Sequence, residues 1–299
     1  MTLTELKYVV AVAEARHFGQ AAERCFVSQP SLSASVKNLE EELGVTLFER
    51  GKRGVFLTDA GEQIVAQARR ALEEAERVKT VARQGRDPLK GVLRLGIIHT
   101  IAPYLLPDLV GALRRVAPEM PLDVEENTTA TLDRMLKSGE LDAIILALPY
   151  DGPGIETAPL YEEVFRVVAP PKHALARRKS VAVEELDAGE LLLLPVGHCF
   201  RDQVLDACHE FSRPPEAGRQ GNSLETLRSM VASGLGVTVL PATALTPRHA
   251  SALVKTIEFS DPQPVRRVAL AWRRGFHRPA ALEKLAAAVR ALDLPVKPL

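Results

Sequence analysis

The sequence predicts a mixed α/β protein: an N-terminal all-α helix-turn-helix with a wing, one long linker helix, and a two-lobed α/β domain. Three observations predict it. Residues 1–58 carry three short runs of apolar residues at helical spacing, followed by a hairpin pattern. Residues 59–88 carry one uninterrupted seam. From residue 91 onward, short β-rich runs alternate with helical stretches.

In the first run, Leu3, Leu6, Val10 and Ala13 share one helical face. Phe18, Ala21, Ala22 and Cys25 repeat the pattern over a shorter stretch, and Phe26-Val27-Ser28 breaks it. Ser28 caps a third helix, and Pro30 falls in its first turn, where no backbone donor is needed. Leu32, Val36, Leu39 and Leu43 form its buried stripe, and Gly44 ends it. Residues 46–49 and 55–57 read as two short strands around a tight turn at 51–54, which makes a wing. Asp59, three residues before Glu62, has the capping-box pattern. Ile64, Ala68, Ala71, Ala75, Val78 and Ala82 then alternate steps of four and three, the spacing of a coiled-coil seam. About 25 residues of helix span ~38 Å, and Gly85-Arg86-Asp87-Pro88 stops it. A long helix with so narrow a seam is read as a dimerisation and linker helix.

Beyond it, β-type runs fall at 92–98, 122–126, 141–148, 165–169, 191–195, 236–241 and 268–272. Helical stretches lie between them, among them 105–116, 132–138 and 224–233. Alternating β and α predicts a largely parallel sheet flanked by helices. A split near residues 159–161 and a return near Arg266 divide the regulatory domain, 89–299, into lobe I (89–161 and 267–299) and lobe II (162–266), with a ligand cleft between them.

Composition narrows the function. No run of ~18 apolar residues predicts a membrane span. The first residues, with Glu5 and Glu14 and no small-residue cleavage site, do not read as a secretory signal, so a cytoplasmic protein is expected. Three cysteines are too few for a disulfide framework. Lys+Arg and Asp+Glu are both 38, a balance that at first argues against nucleic acid. Within residues 1–58 seven cations still meet seven acids. Their placement differs, however. Glu40, Glu41 and Glu42 lie at the far end of the third helix, whereas Arg50, Lys52 and Arg53 crowd the wing. The field follows that separation and not the sum.

The outer face of the third helix, with Pro30, Ser33, Ala34, Lys37 and Asn38, is small and polar near its start. A helix that enters the major groove needs such a face. Ser28 and Gln29 stand where a helix N-terminus meets phosphate or a base edge. Double-stranded promoter DNA is the expected partner.

The stretch HFGQAAERCFVSQPSLSASVKNLEEELGVTLFER, residues 17–50, resembles the N-terminal signature of the LysR-type transcriptional regulators, and the resemblance runs through the linker helix and both lobes. It implies a periplasmic-binding-protein-like regulatory domain, a homotetramer built as a dimer of dimers on an extended operator, and contact with RNA polymerase. By position it implies base reading by Gln29, Pro30 and Ser33, and backbone or wing contacts by Lys37, Arg50 and Arg53.

Most such regulators sense a metabolite in the interlobe cleft, and a small-molecule coinducer is one expectation here. The run GHCFRDQVLDAC, residues 197–208, suggests something narrower. It follows the apolar run 191–195, so Cys199 sits where a strand passes into a helix. Helix N-termini favour thiolate, and His198 and Arg201 are potential cations beside it. Thiolate attacks peroxide to give a sulfenic acid, after which Cys208 is available as a resolving thiol. Nine helical residues separate two Cα atoms by ~13 Å, whereas a disulfide needs them within about 7 Å. Bond formation would therefore unwind the helix and disturb its anchors, Val204 and Leu205. The pair reads equally well as two small buried hydrophobes, as Cys25 does. His198, Cys199, Cys208 and His209 match no zinc spacing, and neither a metal nor a cofactor is expected.

GHCFRDQ with the later cysteine also resembles the peroxide-sensing members of that family, as do IIHTIAPYLLP (97–107) and SLETLRSMVASGLGVTVLP (223–241). This resemblance implies hydrogen peroxide as the signal, Cys199 as peroxidatic and Cys208 as resolving. Thr100 and Thr129 are implied hydroxyl donors to peroxide, His198 and Arg266 groups that polarise the pocket, and Asp202 an orienting residue. It implies activation of antioxidant genes and resetting by a thiol reductant system. One reaction per cycle is a signal and not turnover, so an enzyme is not expected.

Overall fold

The computed structural model describes residues 1–51, 54–83, 87–207 and 220–299. It separates into two compact units, Met1–Asp87 and Pro88–Leu299.

The first unit begins with α1 (Leu3–Ala15), α2 (Phe18–Arg24) and α3 (Gln29–Leu43). The buried face of α1 is Leu6, Val9 and Val12, not the stripe through Leu3, Val10 and Ala13. The run is apolar nearly all round, so its periodicity does not choose a phase. Tertiary contact does, and Leu3 is left exposed. α3 has the expected caps. Ser28 Oγ accepts from Ser31 N, a proline stands in the first turn, and Gly44 closes the helix at φ +69°. Leu43 is exposed rather than buried.

β1 (Phe48–Gly51) and β2 (Gly54–Leu57) pair antiparallel as the wing. The wing is held to α3 by Glu40, whose Oε1 accepts from Leu47 N (2.6 Å) and Phe48 N (3.2 Å). α4 (Asp59–Arg83) follows. Its cap is Thr58 and not Asp59: Thr58 Oγ1 accepts from Gly61 N at 2.9 Å. A side chain at 61 would place its Cβ 2.2 Å from Leu47 O, so only glycine lets α4 approach the wing this closely. The early turns of α4 pack on their own domain through Val65 and Ala68, and Arg69 pairs with Glu14 at 2.9 Å. Further along, Val78 of the predicted seam is exposed.

The second unit runs β3 (Leu93–Ile98), α5 (Ala102–Val116), β4 (Leu122–Asn127), α6 (Thr129–Ser138), β5 (Ala143–Leu148), β6 (Ile155–Ala169), β7 (Ser180–Val181) and β8 (Leu191–Leu192). It continues with α7 (Cys199–Ala207), α8 (Leu224–Ala232), β9 (Val237–Pro241), β10 (Lys255–Phe259), β11 (Val265–Arg273), α9 (Pro279–Arg290) and β12 (Lys297–Pro298). Strand order is β4-β3-β5-β11-β6-β10-β7, with β9 also on β6 and β8 on β9. The sheet is mixed, not largely parallel. β3 pairs parallel with β4 and β5, but β11 runs antiparallel to both β5 and β6.

Two apolar cores result. One gathers β3, β5, α5, α6 and α9; the other gathers the second half of β6 with β8, β9, α7 and α8. β6 passes through both, with Leu160 and Tyr161 in the first and Phe165, Val167 and Val168 in the second. Tyr104 of α5 also reaches the second core and donates to Glu225 at 3.0 Å. Among the described residues, no helix is long and apolar enough to cross a membrane.

Candidate functional site

Cys199 is the first residue of α7, at the positive end of a nine-residue helix. Gly197, at φ +100°, makes the turn that brings His198 and Cys199 off the preceding strand segment. Cys199 is half-buried against the lobe I core, while Phe200 and Val204 are buried in the lobe II core. Leu205, the other expected anchor, is half-buried against that core, and Phe200 takes the deeper place. Gln203 Nε2 donates to Leu148 O at 3.2 Å, so α7 is stitched to both lobes. Arg201 Nη1 donates to Leu194 O at 2.9 Å.

A small cavity of about 10 Å³ lies against this helix start, lined by Thr100, Thr128, Thr129, His198, Cys199 and His99 among others. That is room for a guest about the size of a water molecule and far too little for a metabolite. A separate groove of about 1020 Å³ runs past Leu148, Tyr150, Gln203 and Arg266.

Three threonines line the small cavity, and their hydroxyls are differently prepared. Thr128 caps α6 and bonds Thr131 Oγ1 at 3.1 Å, so its hydroxyl is committed locally. Thr129 Oγ1 is buried with no hydrogen-bond partner. A buried hydroxyl in that state carries an unmet desolvation cost and calls for a ligand. Thr100 is buried and accepts from Arg266 Nη1 at 2.9 Å, while Arg266 Nη2 donates to its carbonyl at 3.1 Å. With its oxygen accepting from a cation, the Thr100 hydroxyl is left to donate its own hydrogen, and is polarised to do so.

Arg266 is fixed by a residue that sequence reasoning missed. Glu163 on β6 stands directly across from Arg266 on β11. Its Oε2 accepts from Arg266 Nε at 2.8 Å, and its Oε1 accepts from Thr243 N at 2.7 Å. Both side chains are almost wholly buried (1% and 0% exposed). The guanidinium also stacks over Phe200, 5.1 Å from the ring centroid. Each partner stands beside a second charge of its own sign, Glu162 and Arg267, which hides the buried one in the sequence.

His99 was also missed. Its Nδ1 lies 3.0 Å from Glu126 Oε1, and its ring centroid is 5.6 Å from that of His198. Burial, and secondarily the neighbouring His99, pushes the His198 imidazole below the ordinary histidine range. His198 is therefore neutral at neutral pH and polarises as a dipole, not as the potential cation expected. The unfolded chain, titrating near 6.5, takes up this proton first as pH falls. The contribution of His198 to stability is full above that value and is lost below it. Melting temperature is expected to fall between about pH 7.5 and about pH 5.5, and His198→Asn to flatten that fall. A wild-type slope in the variant would refute the assignment.

The structure thus brings together Thr100, Thr129, His198 and Cys199, with Arg266 behind Thr100. Asp202 is exposed on the first turn of α7 and does not line the cavity. Cys208 lies outside the described residues. In the first unit, Ser28, Gln29 and Pro30 are exposed at the start of α3, Ser33 is half-buried, and Lys37 pairs with Glu41 at 3.5 Å. Arg50 is on β1 by its backbone pairing with Val55, and Arg53 lies outside the described residues.

A winged helix-turn-helix followed by a two-lobed α/β domain defines a DNA-binding transcription regulator with a sensing module. Residues 3–62 match the bacterial regulatory helix-turn-helix family of lysR type, and residues 86–293 match the LysR substrate binding domain. The chain belongs to the LysR family of bacterial transcription regulators. It is 40% identical to the DNA-binding transcriptional dual regulator OxyR of Escherichia coli K12 over 97% of this chain and 95% of the other. Its fold is similar to a full-length OxyR variant from Pseudomonas aeruginosa (TM-score 0.80, 49% identity, 98% of this chain and 99% of the other). It is also similar to a hydrogen peroxide-bound OxyR variant from Corynebacterium glutamicum (TM-score 0.67, 35% identity, 97% and 91%).

Proposed function

We propose that this chain is a transcription activator switched by hydrogen peroxide, with Cys199 as the reacting thiol. The observation that carries the reading is the cavity: near the size of a water molecule, lined by Cys199, with a Thr129 hydroxyl that has no hydrogen-bond partner and a polarised Thr100 hydroxyl. The similarity to a peroxide-bound relative supports it.

In the first step the Cys199 thiolate attacks one peroxide oxygen and the O–O bond breaks. The sulfur becomes a sulfenic acid and hydroxide leaves, taking a proton to become water. Thr100 and Thr129 offset the charge developing on the departing oxygen. In the second step the Cys208 sulfur displaces that oxygen as water and the disulfide forms. α7 runs from Cys199 to Ala207. A helical rise over nine residues is ~13 Å, beyond the about 7 Å that a disulfide spans, so in this reading α7 unwinds. Withdrawing Phe200 or Val204 from the lobe II core costs about 1.5–3 kcal/mol each, and unwinding also releases the Gln203 tie to Leu148. The change at α7 then repacks subunits of a homotetramer on promoter DNA and alters contact with RNA polymerase. Ser28, Gln29, Pro30, Ser33 and Lys37 are the proposed DNA contacts of α3, and Arg50 and Arg53 are proposed to add backbone contacts. A cytoplasmic thiol reductant resets the switch. Each cycle consumes one peroxide, which makes it a signal and not turnover.

The test is peptide mass mapping after one molar equivalent of hydrogen peroxide. Linked Cys199 and Cys208 are expected, and both recovered as free thiols would sink the reading. Thr129→Val is expected to slow Cys199 oxidation by about 10²-fold or more, the scale of a lost oxyanion donor, without lowering the melting temperature. An unchanged rate would remove Thr129 from the site. A coinducer in the larger groove would instead raise transcription with no change at either thiol.

A further inference from the structure

The turn ahead of α3 holds a residue with no role in the reading so far. α2 closes with two reversed hydrogen bonds, Phe26 N to Glu23 O (3.1 Å) and Val27 N to Ala22 O (3.0 Å). This closure needs a left-handed residue at position 26, a place that glycine, and sometimes asparagine, normally fills. Here it is phenylalanine, at φ +55°. Its side chain is 95% exposed. Gly44 and Gly139 close α3 and α6 in the same left-handed conformation, so the chain uses glycine where the turn alone is at stake. Arg16, the other left-handed residue among the described ones that is not glycine, closes α1 while its carbonyl accepts from Val55 N on the wing.

Both properties of Phe26 count against the free protein. A bulky left-handed residue is strained, and an aromatic ring left in water forgoes its burial energy. Strain of this kind points to a bound state that uses the side chain. The position says which one. Residue 26 is two places ahead of the Ser28 cap, and Gln29 and Pro30 are exposed just beyond it. In a helix-turn-helix the start of the second helix enters the major groove, which brings the preceding turn within side-chain reach of the flanking strand.

We infer that Phe26 is a DNA contact whose ring covers the apolar deoxyribose edge of the backbone beside the groove entered by α3. This rests on the DNA-binding role of α3 and adds an uncharged contact to it. An apolar contact of this kind adds affinity without releasing counterions, so its loss leaves the salt dependence alone.

The test uses the full-length protein and a fluorescein-labelled duplex that the wild-type chain has enriched from a random-sequence pool. Phe26→Asn and Phe26→Gly both fit the left-handed turn. They are expected to melt no lower than wild type and to bind the duplex about tenfold more weakly, with the slope of affinity against salt unchanged. Affinity within twofold of wild type would overturn the proposal, and so would a lower melting temperature or a shallower salt slope. Failure of the wild-type chain to enrich any duplex would instead refute the DNA-binding role of α3, a result distinct from the failure of Phe26.

Discussion

Cys199→Ser is expected to abolish the peroxide response outright. A serine hydroxyl does not reduce peroxide, and no described cysteine can take over. Cys25, the other described one, is at the end of α2 in the first unit, half-buried against that unit's own core. Transcription from an enriched promoter fragment should become indifferent to peroxide, while DNA binding by the unmodified protein stays at the wild-type level. Cys25→Ser should respond as wild type. A peroxide response that survives in Cys199→Ser would end the redox reading and leave a metabolite as the signal.

Glu163→Ala should produce the largest loss of stability. It removes one half of a fully buried ion pair, which typically costs about 3–5 kcal/mol because the surviving charge has no partner. For a domain of this size that is on the order of 10 °C in melting temperature. The single tryptophan of the chain, Trp272 on β11, reports the transition by fluorescence. Replacing both partners, as Glu163→Leu with Arg266→Met, should restore most of the stability, since buried pairs are often matched by apolar residues of similar volume. It should not restore rapid oxidation of Cys199, because Thr100 has then lost the donor on its oxygen. A single variant melting within about 2 °C of wild type would mean that Arg266 finds compensation elsewhere.

Much of this architecture is written in local signals. Ser28, Pro30 and Gly44 mark both ends of α3, because caps are decided by the residues at the cap. The passage from strand to helix at Cys199 is equally local. What escaped was set at a distance. The face of α1 depends on which neighbours it meets, since its sequence is apolar nearly all round. The fifteen-residue β6 is hidden because Glu156, Pro159, Glu162 and Glu163 interrupt its apolar run. Glu163 acquires its meaning only from Arg266, more than a hundred residues away. Thr128 and Thr129 are indistinguishable as neighbouring letters. The helix start separates them, spending one hydroxyl on a cap and leaving the other open.

β6 also determines what kind of motion a signal can set off. It is one fifteen-residue strand, bonded to β11 over residues 155–164 with a bulge at Leu160, and to β9 and β10 beyond. A clamshell swing about such a ribbon would have to shear its ladders, which resist bending across the strand far more than torsion along it. The pieces laid against it are held by fewer ties, and α7 at the sulfur is held by Gln203 on Leu148 O to one side and by Phe200 and Val204 to the other. A chemical event at one atom can therefore change the outline of the surface without opening the body, much as turning a key moves the bolt while the door stays shut.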